Sequence, residues 1–320
     1  MIHSWKIKEF PSRIGENGEV YRNSIPKKEF HQLMDLKIDV AFKKLFGDER
    51  YKKITIAFLN AFFIQSKRAP IKDMTFQEEK MTGSELPHLS LVVETENKES
   101  IYVEILFPDQ DAPENQSFYF WSDVYRRQFA TSSAFGEYDG VITISIMHFE
   151  IFHESDKYHS IFRLTDKEEP MMLTNLQESH FIEVPKLIHR WNEGSLNWKE
   201  DALTGWLLLL AVVDSTKHYF HLNMYQALEK IAATDKHMAA AMKAWSDISC
   251  IDENQLIYKD RQKQIIEQQF LKEIEITEEK RKVVQERTEQ LEQKYQQIKK
   301  QYEQQKLELV EEKEKRMEAE

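Results

Sequence analysis

The chain is short of the residues that punctuate or cross-link a fold. It has one cysteine, Cys250, so no internal disulfide can form, which suits a reducing compartment. Its eight prolines and eight glycines run out early. No proline follows Pro185 and no glycine follows Gly205, which leaves the last third free of helix breakers. Residues 1–18 hold no apolar stretch of the kind a secretory signal needs. The longest apolar run, Trp206 to Val213, is far short of the ~20 residues of a membrane helix. A cytoplasmic protein is expected, with no membrane partner.

Positive charge is also scarce where it would matter for nucleic acid. Against 44 Lys and Arg the chain sets 55 Asp and Glu. Residues 259–320 hold 15 basic and 16 acidic side chains, leaving 29 against 39 for residues 1–258. A phosphate backbone is gripped through counterion release by a positive surface, so an acidic body predicts weak DNA binding. Lys43–Lys44, Lys52–Lys53, Lys67–Arg68 and Arg126–Arg127 are the local exceptions.

What is present falls into four segments. Residues 1–32, with Pro11, Gly15, Gly18 and Pro26, read as an irregular arm. Residues 33–195 read as a mixed α/β (α+β) domain. Within it, Asp35 is the expected N-cap of a helix whose Ile38, Phe42, Leu45 and Phe46 share a face and which Gly47 ends. Ile54, Phe58, Ala61 and Phe62 repeat the spacing in a second helix. LSLVVE at 89–94 and IYVEILF at 101–107 alternate as a β-hairpin around Asn97 and Lys98. Phe118, Trp121, Val124, Tyr125 and Phe129 then form a helical stripe. GVITISIMHF at 140–149, YHSIFRL at 158–164 and HFIEV at 180–184 supply further strands. Residues 196–252 read as a helical subdomain, with helices over 201–233 and 236–248.

Residues 253–320 read as one long charged helix. Val284, Leu291, Ile298 and Gln305 alternate with Thr288, Tyr295, Tyr302 and Leu309 in a heptad-like seam. A homo-oligomer or a protein partner held through this coiled coil is expected. A solvated helix laced with opposite charges is the simpler alternative.

Metal-dependent phosphodiester hydrolysis needs hard oxygen ligands held close together and a group to orient water. Two neighbouring strands can supply both, because alternate residues share a face. Tyr102, Glu104 and Leu106 face one way on the second hairpin strand, and Ser90, Val92 and Glu94 share a face on the first. Read alone, Glu104 is a salt-bridged or solvated strand residue and Asp39 a helix-dipole residue. His148, His153, His159 and His180 fit no zinc spacing.

Taken in order, these segments resemble the PD-(D/E)XK nuclease superfamily, and within it the transposase-like, recombination-promoting nuclease family. KIDVAFKKLFG at 37–47 is similar to that family's opening helix, with Asp39 at its acidic position. LSLVVETENKESIYVEI at 89–105 resembles its Leu-Asp-Val strand, turn and Glu-bearing strand, and FYFWSDVYRRQF at 118–129 its aromatic helix. The resemblance spans about residues 33–190 and implies a restriction-endonuclease-like mixed sheet flanked by helices. It also implies Mg²⁺ at Glu104 and Asp39. Ser90 stands where the family places Asp, Leu106 where it places Gln or Lys, and Gln116 where it places Arg. Ser90 offers a neutral oxygen and Leu106 nothing for a water, so metal affinity is expected to be poor. A pseudonuclease acting as a binding or regulatory module is the expectation. An active Mg²⁺-dependent endonuclease serving recombination or defence against mobile DNA is the alternative.

Overall fold

The computed structural model describes residues 32–77, 87–108, 138–166, 176–215 and 217–268. It adds Lys6–Ile7 and isolated positions within 115–122, 168–174 and 270–294. The chain divides into two compact units, Met1–Gln262 and Lys263–Glu320.

The first unit is built around a six-stranded sheet. In chain order its strands are β2 (Ile71–Phe76), β3 (His88–Thr95), β4 (Ser100–Leu106), β5 (Gly140–Met147), β6 (His159–Phe162) and β7 (Gln177–Glu183), and in space they run β2-β3-β4-β5-β7-β6. A short strand β1 (Lys6–Ile7) belongs to a separate ribbon with β8 (Val213–Asp214) and β9 (Tyr219–Phe220). The centre of the large sheet is parallel (β4 with β5, β5 with β7) and its edges are antiparallel. Such a centre must be covered on both faces, and every residue of β5 and β7 is buried.

The register sorts side chains cleanly. Leu91, Val103 and Ile142 lie level with Glu178 on one face, and Leu89, Ile105 and Ile144 level with His180. Helices α1 (Asp39–Phe46) and α2 (Lys52–Gln65) supply the aromatic cluster belonging to this side. Phe42, Phe46 and Phe58 meet at centroid distances of 4.4–5.8 Å, and Phe107 and Trp206 extend the cluster. Gly47 is the C-cap of α1, and a Cβ at that position would stand 2.8 Å from the Lys43 carbonyl oxygen. Beyond the sheet come α3 (Val184–Asn192), α4 (Ala202–Ala211), α5 (Leu222–Ala232) and α6 (Lys236–Ser249). Helical backbone resumes at Asp252 and runs to Gln262, the last residue of the first unit. No helix among the described residues is long and apolar enough to cross a membrane.

Three local expectations change. Asp35 does not cap α1, which starts four residues later. Its carboxylate instead accepts from the Lys37 backbone N–H at 2.9 Å, the Lys37 ammonium at 2.7 Å and the Ser215 N–H at 2.9 Å. The helical stretch 201–233 is broken by the β8–β9 ribbon, whose turn places His218 at φ 53°. The strand β2 has no counterpart in the sequence reading, since IKDMTF is an edge strand with three of its six residues exposed. Of the aromatic stripe, Phe118 and Trp121 are helical, with rings 5.5 Å apart. Val124, Tyr125 and Phe129 lie outside the described residues, as do Gln116 and the seam positions Val284, Leu291, Tyr295, Ile298, Tyr302, Gln305 and Leu309.

Candidate functional site

The hairpin register puts Ser90 directly opposite Glu104, and Thr143 and Ser179 continue the same row across β5 and β7. Four polar residues thus cross the middle of the sheet side by side, all buried: Ser90 at 4 %, Glu104 at 1 %, Thr143 at 0 % and Ser179 at 5 % exposure. A buried carboxylate must be paired or hydrogen-bonded to be tolerated. The Ser90 hydroxyl lies 2.9 and 3.1 Å from the two Glu104 oxygens and donates to the carboxylate. Burial, then the charge of Glu104, pushes the Tyr102 hydroxyl well above the ordinary tyrosine range.

Further along the row, the hydroxyls satisfy one another. Ser117, from the helical segment over this face, lies 2.6 Å from Thr143 Oγ1 and 3.3 Å from Ser179 Oγ. Thr143 donates to Ser179 at 2.9 Å, and the Gln177 amide donates to Ser179 at 2.7 Å. One register step away, His88 stands opposite Leu106, and Ser145 lies on the other side of Leu106. His88 Nε2 is 3.7 Å from Glu104 Oε1. Ser145 Oγ finds no hydrogen-bond partner among the described residues.

Among the sequence-predicted site residues, then, Ser90 and Glu104 are brought together, with Leu106 beside them on the same strand face. Asp39 has another partner: the Arg261 guanidinium Nε donates to its Oδ1 at 2.8 Å. Glu94 is exposed and pairs with Lys72 at 2.8 Å. His88 is the residue of this face that the sequence reading missed. Alternation back from Ser90 would have found it, had the strand been started one residue earlier.

Mg²⁺ prefers an octahedron of hard oxygens with carboxylates supplying charge. Among the described residues no three His, Cys, Asp or Glu side chains gather in a way that could hold a metal ion. The donors at hand are one carboxylate already bonded to a neutral hydroxyl, an imidazole, and a second carboxylate held by a guanidinium. That set does not fit Mg²⁺.

A second polar cluster lies on the opposite face. Glu178 and His180 are fully buried, and the His180 Nε2 is 2.6 Å from Glu178 Oε1. The Ser66 hydroxyl at the end of α2 donates to the same oxygen, and Arg163 binds the other at 2.7 Å. His159 Nε2 meets His180 Nδ1 at 2.8 Å, and Phe62 packs edge-on to both rings. Burial alone would raise the Glu178 carboxyl. The His180 hydrogen bond and charge, with Ser66 and Arg68, instead hold it at about 2. Burial and neighbouring His180 push His159 down to about 3. His148 and His153 are exposed and join neither cluster.

A six-stranded mixed sheet with helices on both sides and an acidic strand residue at its centre defines a nuclease-like α/β fold. The sequence profile of the PD-(D/E)XK nuclease family transposases matches residues 36–275, and the chain belongs to that family. The match runs well past residue 190, so the helical region after the sheet is part of the family domain. No curated protein and no solved structure matches the chain.

Proposed function

We propose that this family member has exchanged cutting for holding: a PD-(D/E)XK transposase-type domain, impaired in metal-dependent cleavage, that works as a binding or regulatory module. The observation that carries the reading is the Ser90–Glu104 pair. At the point where two carboxylates would share a cation, a neutral hydroxyl donates to both oxygens of one carboxylate. An ion would have to break those bonds and strip a side chain that is 1 % exposed, with a single charge to compensate the loss of its water. Leu106 can neither deprotonate nor orient a water.

The acidic body supports a protein partner over DNA. One member of each of two basic pairs has its charge met within the protein: Lys52 bonds Asp73 at 2.8 Å and Arg68 lies 3.7 Å from Glu178. The segment 253–320, read from its sequence as a charged helix, is the surface through which self-association or partner binding would occur, and light scattering of the full chain is expected to show a dimer or larger. A monomer would remove that part of the reading.

The decisive experiment is a plasmid-nicking assay with Mg²⁺ and with Mn²⁺. No cleavage is expected from the wild-type chain. Cleavage that disappears in Glu104→Ala would establish the alternative, an active endonuclease of the recombination or defence type. Family membership and the retained Glu104, with His88 3.7 Å away, are what favour that alternative.

A further inference from the structure

The two edge strands of the six-stranded sheet are guarded differently. At β2 the register shifts between Ile71 and Asp73, and the exposed Lys72 and Asp73 pair with Glu94 and Lys52. Bulges and charges of that kind keep an edge from pairing with another chain. The opposite edge, β6, pairs with β7 without a shift. The Glu183 N–H bonds the Tyr158 carbonyl at 2.8 Å, and the Leu173 N–H bonds the Leu164 carbonyl at 2.9 Å. Even-numbered residues thus turn their backbone groups inward, and the alternation of an antiparallel ladder turns those of His159, Ile161 and Arg163 outward. Among the described residues nothing bonds these outward N–H and C=O groups. Ile161 and Phe162 are 37 % and 46 % exposed, and Leu164 and Leu173 prolong the apolar rim. The strand is also held firmly. Arg163 is tied to Glu178 at 2.7 Å and His159 to His180 at 2.8 Å, while the Phe162 ring packs on Phe152 and Phe181 at 5.2 and 5.6 Å. An edge already ordered loses little entropy on pairing.

We propose that β6 is a self-pairing edge: a second copy of this chain docks antiparallel against it about a two-fold axis at Ile161, joining the two sheets. In that register Ile161 faces Ile161 of the second copy, His159 faces Arg163, and Ser160 faces Phe162. The outward donors of each strand then meet the outward acceptors of the other. Charge selects this occupant. The stretch 158–164, YHSIFRL, has no carboxylate in a chain with 55 of them. Its one cation, Arg163, is already met by Glu178, and burial with neighbouring His180 keeps His159 uncharged down to about pH 3. The edge therefore attracts neither an acidic nor a basic strand, whereas a β-branched residue opposite its own copy is a favourable cross-strand pair. The paired stretch is shorter than a standard interface needs, so the dimer should come apart on dilution. The proposal is independent of the role given to segment 253–320 and of the pseudonuclease reading.

The test uses the full chain and follows amide hydrogen exchange of residues 158–164 by mass spectrometry as protein concentration rises. Once dimer dominates, the unpaired fraction falls as the square root of concentration, so exchange should slow about tenfold over roughly a hundredfold rise. In Ile161→Lys two ammonium groups would face each other, and the segment should exchange at one rate throughout. With Cys250→Ser removing the native thiol, Ile161→Cys should be joined to its own copy by a short bis-maleimide, the two Cα atoms lying about 5.5 Å apart. Thr75→Cys, exposed on the β2 edge, should stay single. Fast exchange at every concentration would mean an open edge, and slow exchange at every concentration an edge covered within one chain. Either overturns the proposal, as would concentration dependence that survives in Ile161→Lys, no cross-link at 161, or an equal cross-link at 75. Should Ile161→Lys fail to fold, the two cysteine variants decide alone. Plasmid cleavage by the wild type, or a tail that does not self-associate, would leave these readouts unchanged.

Discussion

The two faces of the central sheet solve one problem, a buried glutamate, in opposite ways. On the face packed against α2, Glu178 has the Arg163 guanidinium on one oxygen, and the His180 imidazole and the Ser66 hydroxyl on the other. On the other face, Glu104 accepts from the Ser90 hydroxyl, and the His88 imidazole lies 3.7 Å away. The first is a saturated knot that ties the end of α2 to β6 and β7. The second sits in a row of serines and threonines with an orphan hydroxyl, Ser145, nearby. Saturation marks a structural role. The row of hydroxyls around Glu104 is the face that the proposed binding role uses.

The comparison breaks most readily at the knot. Glu178→Ala leaves Arg163 and His180 without their anion, and loss of one partner of a buried pair costs about 3–5 kcal/mol. Urea denaturation should show a loss of that size, and a change below about 1 kcal/mol would make the two faces equivalent.

Acid should act next. With Glu178 held at about 2 against an ordinary 4.5, the folded state binds fewer protons than the unfolded chain in that window. Its stabilisation is present above pH 4.5 and disappears as pH falls towards 2. His159, neutral in the fold down to about pH 3 against an ordinary 6.5, adds a loss of the same sign from pH 6.5 downward. Replacing His159 by Phe should flatten the decline between pH 6.5 and 4.5, at most about 1.4 kcal/mol per pH unit for one proton. An unchanged profile in a thermal-melt series would show that the imidazole is not the titrating group.

The other face should respond more mildly. Ser90→Ala removes a bond to a charged group and should cost about 1.5–3 kcal/mol. Ser90→Asp with Leu106→Gln is expected to restore measurable Mn²⁺ binding by calorimetry, and silence there would mean the pocket itself is gone. The smallest effect should come from Ser145→Ala. Removing an unbonded buried hydroxyl should be neutral or stabilising by up to about 1 kcal/mol. A clear loss would reveal a ligand or partner for that oxygen.

The hairpin was legible because period-2 alternation and a polar turn mark its two strands; Ser90 as the partner of Glu104 came from the family resemblance, and the observed register pairs them. The aromatic faces of α1 and α2 were legible for the same reason at helical period. The knot was not, since Ser66, His159, Arg163, Glu178 and His180 come from a helix end and two strands. QESHFIE read as sequence is merely polar. Nor could the sequence show that Asp39 is met by Arg261, 222 positions away, because ion pairs at that separation leave no local pattern.

Those same distant contacts set an order on folding. Met34 and Asp35 wait for Trp245, Ser249 and Tyr258, so the entrance to the first helix cannot be secured until four-fifths of the chain has been made. A ribosome adding about 5–20 residues per second needs roughly 10–45 s to pass from Asp35 to Tyr258, and over that interval the polar groups of Met34 and Asp35 lack these partners.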